Sequence, residues 1–405
     1  MTDTAALEEQ LADPLLDRRL AALGELARSA PKARRGTNLH VHSNHSFGVF
    51  RSPSEAAWNA AKAGVEAFGL NDFFTVAGHD EGQRAARILA LPTVTCLECI
   101  ALDATTAAAG TLINDPANPG KVYLCGKAVT NPGDAGANRR LAELRGHQER
   151  RNRALIAKVD ERFRALIDRA GPLWDDVAVQ TPAGNTTERH VARAVVRRLQ
   201  VLADEHVGTF DQLFATVVGV APKPLDADRQ NQVRAELLKA GKSCYAPEDP
   251  AAFPDVAGLR TIFLGLGAIP VYPVLGNPIT GGESDIPALF ARIASWGFHA
   301  VELIPARNTD DRVAAVLGEC QRRGWPVCDG TEHNTPAMEP MLTKWGMDER
   351  FRPQFREGAL VLLGHQALRA RGEPGYIDAN GAPAADGYRR CLAEGERAVL
   401  AVAKA

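Results

Sequence analysis

The feature that most constrains this 405-residue chain is a repeated alternation. A short apolar run stops at a polar residue, and a stretch with helical spacing follows. Asn38-Leu39-His40-Val41-His42 reads as a strand, with a helix over 54–63 opened by Ser52-Pro53. Residues 67–70 form a second strand ending at Asn71-Asp72, before a helix over 81–89. Residues 93–100 and 121–125 read as a third and a fourth strand. The pattern resumes with strands over 269–275, 299–304 and 326–328 and helices over 286–295 and 310–323. Such alternation predicts a parallel α/β sheet or barrel. In a parallel barrel, the loops at the C-terminal strand ends build the site.

Between the two halves the texture changes. Residues 138–238 are rich in Arg, Ala, Leu and Glu at helical spacing, and Asn185-Thr186-Thr187-Glu188 resembles a capping box. The chain thus divides into an N-terminal helical segment (1–35), a first barrel part (36–135), a helical insertion (136–255) and a second barrel part with the tail (256–405). In the tail, the apolar run 359–363 precedes a polar segment, 364–376, that reads as a loop.

Composition excludes several classes. With 45% hydrophobic and 24% charged residues, the chain is not intrinsically disordered. Lys plus Arg total 47 against 49 Asp plus Glu, so no bulk positive charge favours general nucleic-acid binding. No apolar run is long enough for a membrane span, and the N-terminus has no signal-peptide pattern. Seven scattered cysteines suggest reduced thiols and a cytoplasmic setting. Cys96 and Cys99 form a CxxC, but no second pair exists to complete a zinc ribbon.

The chemistry-bearing residues fall at strand ends. His40 and His42 share a strand face, so both imidazoles can enter a barrel. Asp72 ends the second strand, Glu98 lies within the third, and Glu332 and His333 follow the last. Mixed imidazole and carboxylate ligands suit zinc, manganese or iron. Each has a plainer reading: satisfied core histidines for His40 and His42, a turn or cap for Asp72, a loop hydrogen bond for His333. Glu98 is harder to dismiss, because a carboxylate buried among apolar residues needs a partner.

Together these residues resemble the motifs of the PHP superfamily, named for its polymerase and histidinol phosphatase members. His40-Val41-His42-Ser43-Asn44-His45-Ser46-Phe47-Gly48 is similar to its first motif, and Asn71-Asp72 through Gly78 to its second. Glu98 stands where that family places a bridging glutamate, and Gly330-Thr331-Glu332-His333-Asn334 resembles its late Gly-Ser-Asp-x-His motif. The resemblance covers about residues 36–130 and 260–340. It implies a distorted (β/α)7 barrel holding two or three metals and hydrolysing phosphate esters, with His40, His42, Asp72, Glu98 and Glu332 as ligands. Departures accompany the matches. Phe73 replaces the histidine after Asp72, no histidine occurs near Tyr123 to Gly126, Asn277 replaces the histidine before a proline, and Asn334 stands where the last ligand belongs. The expectation is therefore fewer divalent ions (Zn, Mn or Fe) than the full three-metal site.

Several residues could fill the gaps. His45 could supply an imidazole; His79 reads rather as a surface residue at a helix start. Lys121 or Lys127 could place a fixed cation where a metal charge was lost, although either could be a solvated surface lysine. Arg307, after the sixth strand, could grip phosphate bidentately. Glu302 and His299 read as structural strand residues. The arginine-rich stretch from Arg139 to Arg153 reads as a solvated helix face partnered by Glu143 and Glu149. No GxSxG elbow or phosphate-binding loop occurs. The expected function is a metal-dependent phosphoesterase acting on a small phosphorylated molecule through an activated water, with Arg307, Lys127 and His45 as catalytic candidates. The alternatives are a degenerate, non-catalytic binding module and a metal enzyme acting on a sugar-like substrate.

Overall fold

The computed structural model describes residues 3–333 and 340–404. Seven strands follow one another in a single ring-like order: β1 (Thr37–Val41), β2 (Ala67–Phe73), β3 (Thr93–Leu102), β4 (Lys121–Lys127), β5 (Ile269–Val274), β6 (Val301–Leu303) and β7 (Val327–Asp329). With helices outside, this is a distorted, nearly closed α/β barrel. The seam between β7 and β1 is held by side chains and one backbone bond. Thr37 donates to Asp329, Asn38 Nδ2 donates to Thr331 Oγ1 at 2.7 Å, and Glu332 N–H donates to the His40 carbonyl at 2.8 Å.

The distortion lies in β4. β1, β2 and β3 pair in parallel, as do β5, β6 and β7, but β4 is antiparallel to both neighbours. Residues 103–120 hold only a one-turn helix, Ala104–Ala108, in place of a full crossover helix. The strand therefore runs backwards, with Lys127 opposite Cys96 and Lys121 opposite Leu102. Sequence reading offered Lys127 as a fixed cation or a solvated surface lysine, and it is fully buried. The reversal puts it towards the floor, below Glu98.

The reversal also shapes the insertion. The chain leaves β4 at the floor, then enters a 33-residue helix, Ala135–Ile167. At 1.5 Å per residue this helix is about 50 Å long. Its first half packs Leu141 and Leu144 into the barrel core. Its second half packs Leu155, Val159 and Phe163 against Val191, Leu199, Phe214 and Leu237, a separate core built by the insertion alone. The capping signal before the next long helix, Glu188–Asp204, is shifted from the expected one: Thr187 is the cap, and its N–H is taken by His190 Nδ1 at 2.9 Å. The arginine-rich stretch does not form one solvated face. Arg140 and Arg153 pair with Glu143 and Glu149 in solvent, whereas Arg145 donates to the Phe74 carbonyl and Arg151 reaches Glu188.

The tail corrects another expectation. Residues 352–370 form one helix, Arg352–Ala370, so the polar segment after 363 continues helical before turning. The helix period is invisible in sequence because Gly358 through His365 are buried on every side. Gly358 and Gly364 permit this: a Cβ there would lie 1.9 Å from the Val327 carbonyl oxygen and 1.8 Å from that of Cys391. The helix plugs the floor beside Leu39, Val94, Cys125 and Val271. His365 accepts from Tyr376 N–H at 3.0 Å, and Gln366 accepts from Thr95 N–H at 2.8 Å. All seven cysteines are buried and unpaired, and Cys96 and Cys99 face different cores. No helix among the described residues is long and apolar enough to cross a membrane.

Candidate metal centre

β1 ends at Val41, yet His40 and His42 still converge, with their Nε2 atoms 3.3 Å apart in a fully buried site. Each ring is oriented by its other nitrogen. His40 Nδ1 lies 2.8 Å from Glu302 Oε2. His42 Nδ1 lies 3.1 Å from Ser46 Oγ, which itself donates to Asp72 Oδ1 at 2.6 Å. With the Ser46 proton committed to Asp72, its oxygen accepts from His42 Nδ1–H. Both imidazoles thus carry Nδ1–H and turn Nε2 inward, the arrangement that outer-shell partners impose on metal-binding histidines.

Glu98 faces this pair. Its Oε2 is 3.7 Å from His40 Nε2 and 3.6 Å from His42 Nε2, and its Oε1 is buried without a hydrogen-bond partner among the described residues. Among the described residues, one group whose ligand atoms all lie within 4.8 Å of one another is His40, His42 and Glu98; a second is His40, Cys125 and Glu302. The first fits a divalent ion: two nitrogens and one carboxylate make a catalytic zinc donor set. The second fits poorly. Glu302 Oε1 is already 2.7 Å from Lys127 Nζ, which also donates to the Leu39 carbonyl at 2.7 Å.

The electrostatics follow. Burial alone would depress His40, but the Glu302 and Glu98 carboxylates outweigh it and raise it to about 9. His42 falls well below its ordinary value through burial and the charge of His40. Burial raises Glu98, against the pull of His40. Glu302 is equally buried, yet His40 and Lys127 hold it below the usual carboxylate range. Of these two buried carboxylates, Glu302 has an ammonium beside it and Glu98 does not.

Asp72 is not brought to the imidazole pair. Its oxygens accept from Ser43 N–H and Ser43 Oγ, both at 2.7 Å, and from Ser46 Oγ, so it fixes the first motif's loop. Gly48 belongs to that loop because a Cβ there would lie 2.5 Å from the His42 carbonyl oxygen. Gly330 has a similar role at the seam, where a Cβ would lie 2.3 Å from His40 Cβ. At the mouth, Glu332 is ion-paired with Arg307, whose Nη1 is buried without a hydrogen-bond partner among the described residues. His333 contacts Thr331 through Nδ1, stacks on Phe50 and lies close enough to act on His42. His45 lies in the motif loop, its N–H donating to Ser43 Oγ at 3.2 Å. His79 is buried, not superficial, with Nε2 2.8 Å from the Cys96 carbonyl. Lys121 pairs with Glu248, and Asn334 lies outside the described residues.

Sequence reading gave Glu302 a structural strand role and did not see that it orients His40, although Val301-Glu302-Leu303 carries the same buried-carboxylate signal as Glu98. It also missed Asn71, whose Nδ2 lies 2.9 Å from His40 Nε2, and Cys125, 3.6 Å from Glu302 Oε2. Phe73, in the place of an expected imidazole, stacks on His42 with ring centroids 5.4 Å apart.

Neither a protein-family model nor a curated relative matches the sequence. Among the solved structures that share the fold are two hydrolase-type proteins. One, a suggested metal-dependent phosphoesterase from Bifidobacterium adolescentis, has a TM-score of 0.53 at 20% identity, over 80% of this chain and 96% of that one. The other, an amidohydrolase from Chromobacterium violaceum with bound sulfate and no metal, has a TM-score of 0.53 at 17% identity, over 75% of this chain and 88% of that one.

Proposed function

We propose that this protein is a metal-dependent hydrolase of PHP type that cleaves a phosphoester in a small molecule. The observation that carries the reading is the convergence of His40 Nε2, His42 Nε2 and the unpartnered Glu98 carboxylate in one buried site. His40, His42 and Glu98 would hold one divalent ion. Such an ion lowers the pKa of a bound water towards neutrality and offsets charge on a phosphoryl oxygen. Glu302 and Ser46 hold the two imidazoles in the ligating tautomer. Lys127 stands behind Glu302 as a permanent cation where a second ion would otherwise be needed, so the site takes fewer ions than the three-metal pattern. At the mouth, the unpartnered Nη1 of Arg307 supplies a donor for a phosphoryl oxygen, while Glu332 steadies the guanidinium. The shared fold with a suggested phosphoesterase and an amidohydrolase agrees with hydrolysis and leaves the ester class to the site's own chemistry.

The test is elemental analysis of untagged protein purified without chelators, followed by a phosphoester panel with added manganese or zinc. About one equivalent of transition metal and turnover lost in His40→Ala are expected. Metal-free protein that neither takes up an ion nor turns over any ester would overturn the proposal.

A further inference from the structure

Above the metal centre lies a cavity of about 180 Å³ between the barrel mouth and the insertion. Phe47, Phe73 and Tyr123 of the barrel form its aromatic wall. Four cations from the insertion line it: Arg151, Arg189, Arg234 and Lys239. Glu188 engages three of them, at 3.2 Å from Arg151, 3.0 Å from Arg234 and 2.8 Å from Lys239. One carboxylate thus faces three cations, and the charge does not balance. Glu248, also in the lining, is committed to Lys121. Arg189 stands apart: its guanidinium has no hydrogen bond or ion pair among the described residues and lies 5.7 Å from the centre of the Phe47 ring. Burial and the neighbouring Arg234 lower it to about 10, which leaves it charged at neutral pH. A largely buried guanidinium without a partner is costly, and an anion entering the cavity would relieve that cost.

We propose that the helical insertion provides an anion-recognition pocket for an organic phosphate or phosphonate with a flat, apolar body, in which Arg189 binds the anionic group and the aromatic wall receives the body. The inference rests on the hydrolase reading only for what later happens to the ligand. Binding itself requires no metal.

The probe is phenylphosphonate, which cannot be hydrolysed, titrated calorimetrically into the full-length protein as purified, with inorganic phosphate for comparison. Saturable millimolar or tighter binding is expected, stronger for phenylphosphonate than for phosphate because of the aromatic wall. Arg189→Gln should weaken it by about tenfold or more, the loss of a charge-assisted contact. Arg189→Lys, which keeps the charge, should retain part of the affinity, and the surface variant Lys239→Gln should lose severalfold. Arg140→Ala, on the solvent face of the long helix, should bind like the parent protein. Binding retained in Glu98→Ala but lost in Arg189→Gln places the anion in this pocket and not on a metal. No saturable binding, or Arg189→Gln and Lys239→Gln both binding like the parent, overturns the inference. If anion binding follows Arg189 but no ester is turned over, the hydrolase reading fails and the pocket stands. If esters are cleaved with unchanged KM in Arg189→Gln, the pocket fails and the hydrolase stands.

Discussion

Glu98 and Glu302 sit in two layers of the same barrel, each embedded in an apolar strand and each removed from solvent. The lower layer is charge-matched: Glu302 is ion-paired with Lys127 at 2.7 Å and lies 2.8 Å from His40 Nδ1, and its carboxyl is held low. The upper layer is incomplete: Glu98 stands beyond hydrogen-bond distance of both imidazoles, one oxygen has no partner, and burial pushes it up. The lower layer has the design of a structural ion pair. The upper has that of a ligand set, because a buried carboxylate with no ammonium or guanidinium beside it faces two inward Nε2 atoms.

The largest effect that could break this contrast belongs to the lower layer. Lys127→Met leaves Glu302 buried without its ammonium partner and should cost about 3–5 kcal/mol in urea unfolding. A loss below about 1 kcal/mol would show that the lysine does not complete that layer. Next comes metal affinity. Glu98→Ala removes a ligand and should cost more than Ser46→Ala, which frees the His42 ring, removes one hydrogen bond to Asp72 and should weaken binding about 10–100-fold. Equal losses in the two variants would deny Glu98 a ligand's role.

The pH dependence sharpens the comparison further. The Glu302 and Glu98 carboxylates raise His40 to about 9, above its unfolded value, so at neutral pH the metal-free imidazole holds a proton that an entering ion must displace. Below about 9, affinity should rise about tenfold per pH unit, with about one proton released per ion, and should level off above that point. Calorimetry in buffers of different ionisation enthalpy measures both, and a flat profile between neutral pH and 9 would contradict it. The smallest effect concerns Glu98 without metal. Glu98→Gln removes an unmatched buried charge and should stabilise the metal-free protein by about 1 kcal/mol, or at least not weaken it. A clear destabilisation there would mean that the upper layer is already satisfied.

Much of this architecture was legible in the chain. The alternation of short apolar runs with helical stretches marked the barrel. The spacing of His40 and His42 placed two imidazoles together, and the cost of burying Glu98 singled it out. Glu302 bore the same mark but sat in a run short enough to pass for ordinary strand. Arg189 lay in a helix with no sign of what it faced. The helix Arg352–Ala370 hid its period because its centre is buried all round.

The sequence determined local geometry, since strand period, turn chemistry and capping act over a few residues. Only the tertiary structure decided which charges meet. The direction of β4 could not be read from its residues, because a strand has the same pattern run either way. That direction puts Lys127 beneath Glu302, leaves Glu98 without an ammonium, and launches the long helix whose continuation brings Arg189 over the mouth. Charge balance in a buried site depends on contacts between residues far apart in the chain, and those exist only once the barrel has closed.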